Sequence, residues 1–260
     1  MKLSISNIAW ATEKNLQVYE LMQEKNFTGL EIAPTKIFPK EPYEQLEAAR
    51  AWKMALPFEI SSMQSIWYGR TENIFGSPAE REILLKYTKK AIDFAAAIDC
   101  KNLVFGCPKN RSIPEGADKS VAVKFFAEIA EYARKKNTVI GMEANPPIYN
   151  TNYINTTIDA LDLIAEVNSE GFKLNLDVGT MVANYEPAEI LRGKVHLINH
   201  VHISEPFLKP VQSRNLHNEL SNLLIEEGYK NFISIEMATV EDLEILKKSM
   251  AYVKGVFGAE

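Results

Sequence analysis

Short apolar runs alternate with longer stretches in which apolar positions recur every three or four residues, from one end of the chain to the other. Short runs rich in β-branched residues read as strands, and longer stretches of helical period read as amphipathic helices. Strands are predicted near Leu3–Ile8, Gly29–Ala33, Phe58–Met63, Asn102–Gly106, Thr138–Glu143, Lys173–Asp177, Asn199–Ile203 and Phe232–Glu236. Helices are predicted near Glu13–Lys25, Tyr43–Met54, Ser77–Ala97, Ser120–Lys135, Thr157–Val167, Pro187–Leu191 and Asn215–Glu227, with a last one opening at Thr239 and Asp242 three residues on. Ser77-Pro78-Ala79-Glu80 supplies a hydroxyl cap, a proline in the first turn and a carboxylate three residues on, a strong start signal.

Eight strand-then-helix units in 260 residues average about 32 residues each, which is what an α/β chain needs to close a (β/α)8 TIM barrel. No linker or low-complexity tract divides the chain, so one domain over residues 1–260 is expected. An open doubly wound sheet would want a glycine-rich phosphate turn after the first strand; Asn7-Ile8-Ala9-Trp10 stands there instead.

Composition narrows the function. A net charge of −5 provides no overall attraction to nucleic acid or anionic lipid. No run of apolar residues is long enough to span a membrane, and the first residues read as a strand rather than a signal peptide, so a cytoplasmic location is expected. The two cysteines, Cys100 and Cys107, lack metal-type spacing and read as reduced structural thiols.

The candidate chemistry lies in the phase of the last four strands. Side chains on a strand alternate faces. Glu143, Asp177, His202 and Glu236 each fall on the face opposite the purely apolar one, at or near the carboxyl end of their strands. That end is the rim on which barrel enzymes build active sites. Carboxylates crowded at one opening repel and raise one another's proton affinity, and a divalent cation relieves this. Mostly oxygen ligation with one nitrogen suits one Mn, Zn, Co or Mg ion.

These segments carry a resemblance. Met142-Glu143-Ala144-Asn145-Pro146, Asn175-Leu176-Asp177, His200-Val201-His202 and Ile233-Ser234-Ile235-Glu236-Met237 resemble the xylose-isomerase-like TIM barrel superfamily of sugar isomerases and epimerases, whose fold is shared with a class of apurinic DNA endonucleases. The resemblance covers nearly the whole chain. It implies a metal bound by Glu143, Asp177, His202 and Glu236. It also implies that Glu143 and Glu236 act as an acid/base pair, moving a proton through an enediolate of a sugar or sugar phosphate. Two departures stand out. Many epimerases of this group carry histidine three residues after the strand-six aspartate, where Thr180 stands here, and an arginine soon after the strand-seven histidine, where Ser204-Glu205-Pro206-Phe207 runs here.

Further candidates for holding a small carbohydrate substrate are Asn7, Trp10, Glu31, Gln64, Trp67, Asn145, Thr180 and His217, all near predicted strand ends or rim loops. Lys109 and Arg111, with Arg70, are candidates for neutralising a phosphate. His200, two residues before His202 on the same face, is expected one layer deeper, in a supporting role. A metal-dependent lyase or dehydratase of a keto-sugar would use the same residues, and a non-catalytic sugar-binding barrel is the remaining alternative. The endonuclease chemistry would need more metals and more histidines than the four present. No nucleic-acid or membrane partner is expected, and assembly into a homo-oligomer stays open.

Overall fold

In the computed structural model, which describes residues 1–258, the strand-length runs fold as β1 (Lys2–Ser6), β2 (Gly29–Ile32), β3 (Glu59–Met63), β4 (Asn102–Phe105), β5 (Val139–Met142), β6 (Phe172–Asp177), β7 (Ile198–Ile203) and β8 (Phe232–Ile235). They pair in sequence order, and β8 closes on β1 in parallel register, Ile5 opposite Ile235. The eight-stranded (β/α)8 barrel predicted from the pattern is the fold observed.

Helices α1 (Asn15–Glu24), α2 (Pro34–Ile37), α3 (Leu46–Met54), α4 (Pro78–Ala97), α5 (Ser120–Lys135), α6 (Thr157–Val167), α7 (Val178–Asn184), α8 (Asn215–Glu226) and α9 (Leu243–Phe257) lie between or after the strands. The capping box at Ser77 and Glu80 forms as its sequence predicts, starting α4. None of the described helices is long and apolar enough to cross a membrane.

Three boundaries differ from the sequence pattern. The segment near Pro187–Leu191 is only a single 3-10 turn, Ala188–Leu191. The α-helix after β6 begins at once with Val178, because the Asp177 carboxylate caps it through the Gly179 and Thr180 amides. The last helix starts at Leu243 with Asp242 as its cap, while the Thr239 hydroxyl donates to the Ile8 carbonyl. A strand-ending carboxylate reads as a functional residue or as a cap with equal ease from sequence, and Asp177 is at least a cap.

Between barrel and helices lies an aromatic and aliphatic core. Phe126 on α5 is fully buried, 4.9 Å from the Phe105 ring, 5.1 Å from Phe172 and 5.6 Å from Phe125. The lumen is different: it is filled by polar side chains that satisfy one another. Ser4 meets Ser61 at 2.5 Å and Ser234 at 3.3 Å, and Asn102 donates to Ser62 and to Asn175. These groups are buried and would be costly there without partners. Gly141 makes room for the ladder, since a Cβ there would come within 2.7 Å of Asn102 Oδ1.

Phe126→Ala should leave a cavity at the centre of that ring cluster and lower the unfolding free energy by about 3–5 kcal/mol in urea denaturation. A loss of under about 1 kcal/mol would contradict the packing described.

Candidate metal centre at the barrel mouth

The carboxyl ends of β5 to β8 place Glu143, Asp177, His202 and Glu236 together: one ligand-type atom from each lies within 4.8 Å of all the others. Asp177 is the last residue of β6 and pairs in register with His202 of β7, while Glu143 and Glu236 follow β5 and β8 directly. Glu143 and Glu236 are 8% and 9% exposed and His202 is fully buried, so these charges stand largely out of water.

Each of the four is held differently. Glu143 Oε1 accepts from Asn175 Nδ2 at 2.8 Å, and Oε2 from Asn145 Nδ2 at 3.3 Å. Gly106 of the β4 loop leaves that carboxylate its space, because a Cβ there would lie 2.7 Å from Oε2. Asp177 Oδ1 accepts from the Ser204 hydroxyl and Gly179 amide, and Oδ2 from the amide and hydroxyl of Thr180. Glu236 is approached by His202 alone among the described side chains.

His202 is oriented from across the lumen. Glu31 on β2 is fully buried, with Oε2 2.8 Å from His202 Nε2 and 3.0 Å from His200 Nε2, while Oε1 accepts from Gln64 Nε2 at 2.9 Å. A carboxylate beside Nε2 keeps a proton on that nitrogen, and Nδ1 is the nitrogen that faces the mouth. There Nδ1 lies 2.9 Å from Glu143 Oε1 and 3.2 Å from Glu236 Oε2.

The proton affinities reflect this crowding. Burial, aided by neighbouring Glu143, pushes the Asp177 carboxyl up against its hydrogen bonds. Burial likewise takes Glu236 up to about 7, although His202 opposes it. For His202, burial pulls downward, but the carboxylates of Glu236, Glu31 and Glu143 outweigh it and hold the imidazole well above its usual range. Burial would raise Glu31 too, yet the two imidazoles keep it well below the ordinary carboxylate range. His200 is lowered, mainly by burial.

The structure gives several predicted substrate contacts other work. Glu31 does not reach the mouth; its oxygens are spent on the two histidines and Gln64. Thr180 braces Asp177 and approaches the Ala144 carbonyl at 2.9 Å. Arg111 is fully buried beneath the rim, where it donates to the Glu143 and Ile154 carbonyls and to Asn145 Oδ1, so it supports Glu143 from behind rather than meeting a phosphate. Burial lowers its guanidinium to about 10, which leaves it charged at neutral pH. Arg70 is paired with Glu72, and Lys109 is exposed on the β4 loop.

Trp10 is fully buried with its indole N–H on Asn15, and Trp67 packs edge-on against Phe105 at 4.6 Å while donating to Thr88; neither ring faces the opening. Asn7 Oδ1 accepts the Ala33 amide and so ties two rim loops together. His217 is buried on α8 with Nδ1 3.0 Å from the Tyr252 hydroxyl of α9, away from the four residues. Gln64 and Asn145 do border the mouth, lining a cavity of about 130 Å3 with Glu143, Glu236, Val104, Gly106 and Cys107.

Sequence reasoning missed the bracing roles of Arg111 and Ser204. No signal in the chain separated Arg111 from an ordinary loop cation. The inward phase of Glu31, shared with the other four, was the available hint that it faces the lumen.

Comparison with known proteins agrees with this architecture. A family model described as xylose isomerase-like TIM barrel matches residues 19–255, and the chain belongs to that family. A crystal structure of D-psicose 3-epimerase with D-tagatose from Clostridium cellulolyticum H10 superimposes with a TM-score of 0.80 at 17% identity, covering 99% of each chain. The 3-keto-D-glucoside 4-epimerase of E. coli gives 0.75 at 19% identity, over 98% of this chain and 99% of that one. A D-psicose 3-epimerase solved in the presence of D-fructose gives 0.80 at 16% identity over the full length of both. No curated protein matches the chain in sequence.

Glu31→Gln should unfix the His202 ring and weaken Mn2+ binding by about 10- to 100-fold in calorimetric titration, with the far-ultraviolet dichroism of the barrel retained. Unchanged affinity would mean that Glu31 does not orient the imidazole.

Proposed function

We propose that the chain is a divalent-metal-dependent epimerase or isomerase of an unphosphorylated sugar, with Glu143 and Glu236 as its acid/base pair. The observation that carries this reading is the His202 imidazole, fixed by Glu31 so that Nδ1 meets two carboxylate oxygens at 2.9 and 3.2 Å. A lone pair beside two carboxylates is repulsive unless a cation or a proton sits among them.

The donor set fits a metal. Ligand atoms roughly 2.0–2.2 Å from one ion stand up to about 4.4 Å apart, and the four present already lie within 4.8 Å of one another. Glu143, Asp177, His202 and Glu236 would hold it. Such an ion, when bound, would polarise a substrate carbonyl and acidify the neighbouring C–H.

The remaining chemistry falls to side chains. Glu143 and Glu236 come from β5 and β8 and both line the cavity, so a ligand lying between them presents a carbon to each. One carboxylate removes the proton next to the carbonyl, and the other returns a proton to the opposite face of that carbon, giving the epimer; return by the same group at the former carbonyl carbon, with the neighbouring hydroxyl proton passing to the former carbonyl oxygen, gives isomerisation. Asn175 and Asn145 hold Glu143 in position, and Gln64 offers a polar contact on the opposite wall. Family membership and the similarity in fold to sugar epimerases support the substrate class. Of the three phosphate candidates, Arg70 and Arg111 are engaged by protein groups and Lys109 is exposed on its loop, which favours a neutral sugar over a sugar phosphate.

Glu143→Gln and Glu236→Gln should each lower turnover of the best ketose in a panel including D-fructose, D-tagatose and D-psicose by about 10²- to 10⁴-fold. Chelation should abolish turnover and Mn2+ should restore it, with solvent deuterium appearing at the carbon beside the carbonyl. Turnover that survives both substitutions would overturn the acid/base assignment.

Metal affinity should depend on pH in a definite direction. Glu236, Asp177 and His202 all have raised proton affinity, so protons must leave before ligation. Mn2+ should therefore bind more tightly at about pH 8 than at about pH 6, and release protons to the buffer on binding at the lower pH. Equal affinity at both would contradict the competition.

A further inference from the structure

Two aromatic residues on the rim are unused by the roles above. Tyr149 ends a 3-10 turn, Pro147–Tyr149, in the loop after β5, and Phe207 sits in the turn Pro206–Leu208 after β7. Their rings meet edge-on at 5.9 Å, and the Phe207 amide donates to the Tyr149 hydroxyl at 2.8 Å. The contact joins the β5 and β7 loops across the end of β6, where Asp177 stands. Phe207 and Leu208 both adopt left-handed backbone there, φ 61° and 53°, a conformation costly for residues with a Cβ. Phe207 remains 60% exposed, so burial does not account for its position.

The hydrogen-bonding state of Tyr149 is specific. Its oxygen already accepts the Phe207 N–H, and its own proton finds no acceptor among the described residues. The hydroxyl is therefore left as a donor. The half-buried phenol thus stands on the rim, bridging the loops that follow the Glu143 and His202 strands.

We propose that Tyr149 is a specificity-determining residue: held by the Phe207 amide, its hydroxyl donates a hydrogen bond to an oxygen of the bound sugar, and the Tyr149–Phe207 pair forms an apolar wall against the sugar's C–H face. This rests on the metal-dependent sugar chemistry proposed above. A donor fixed in this way selects for a ligand oxygen at one position and discriminates against an analogue lacking it.

The test compares wild type, Tyr149→Phe and Phe207→Leu, first for Mn2+ binding by calorimetry and then for KM and kcat on the best ketose of the panel. Monodeoxy analogues of that ketose serve as competing ligands. Removing one neutral hydrogen bond should raise KM about 3- to 10-fold in Tyr149→Phe, with a smaller change in kcat and unchanged Mn2+ affinity. One monodeoxy analogue should bind wild type and Tyr149→Phe equally. Phe207→Leu keeps the amide, so it should retain the discrimination among the analogues while binding every sugar less tightly. If Mn2+ and ketose bind normally and Tyr149→Phe matches wild type for every analogue, this proposal alone is overturned. A Mn2+ affinity that falls in parallel with ketose affinity would also overturn it, by showing that Tyr149 acts through the metal centre. A wild type that binds no Mn2+ removes the metal-dependent reading and this proposal together.

Discussion

The hydrogen bond from His202 across the lumen to Glu31 is the contact on which the mouth of this barrel depends. A histidine presents one nitrogen as donor and one as acceptor, and its partner decides which is which. Because Glu31 is fully buried and held by two imidazoles and an amide, it stays ionised in the interior and keeps the Nε2 proton in place. Nδ1 then faces Glu143 and Glu236, with the Asn175 amide 3.3 Å away. One buried charge at depth thus fixes the direction of an imidazole nitrogen at the rim.

That arrangement depends on a lumen lined mostly by polar side chains. A buried carboxylate in an aliphatic lumen would take up a proton rather than remain charged. Here Ser4 pairs with Ser61 and Ser234, while Ser62, Asn102 and Asn175 form a chain from which Asn175 donates onward to Glu143. Most of the apolar burial lies outside the strands instead, in contacts such as the Phe105, Phe125, Phe126 and Phe172 rings. Stability and site geometry are therefore carried by opposite faces of the same strands, with alternation keeping them apart.

The same alternation explains what was legible in the chain. Strand phase depends only on local spacing, so the fold and the convergence of Glu143, Asp177, His202 and Glu236 could be read before any coordinates. What could not be read depends on distant parts of the chain. Glu31 looked like a ligand-facing group because its phase is inward, but phase does not give depth, and β2 places it below the mouth opposite His200. Arg111 looked like a loop cation because nothing local shows that its loop folds under Glu143. Thr180 and the start of α7 were misjudged for one reason: Asp177 caps the helix through residues that immediately follow it, and Thr180 is consumed by that cap.

The unequal bracing of the carboxylates also separates their chemical roles. Asp177 has both oxygens occupied by amides and hydroxyls, which oppose the upward push of burial on its proton affinity and fix its position. Such a group can help hold an ion but is poorly suited to swing toward a substrate carbon and take its proton. Glu143 is held by two amide side chains at the cavity wall, and Glu236 meets only His202 among the described side chains, so each retains capacity on the side facing the cavity. A carboxylate with few fixed donors keeps lone pairs free to take a proton from carbon. For the chemistry proposed above, the hydrogen bonds favour Asp177 as an anchor and Glu143 and Glu236 as the groups that move a proton.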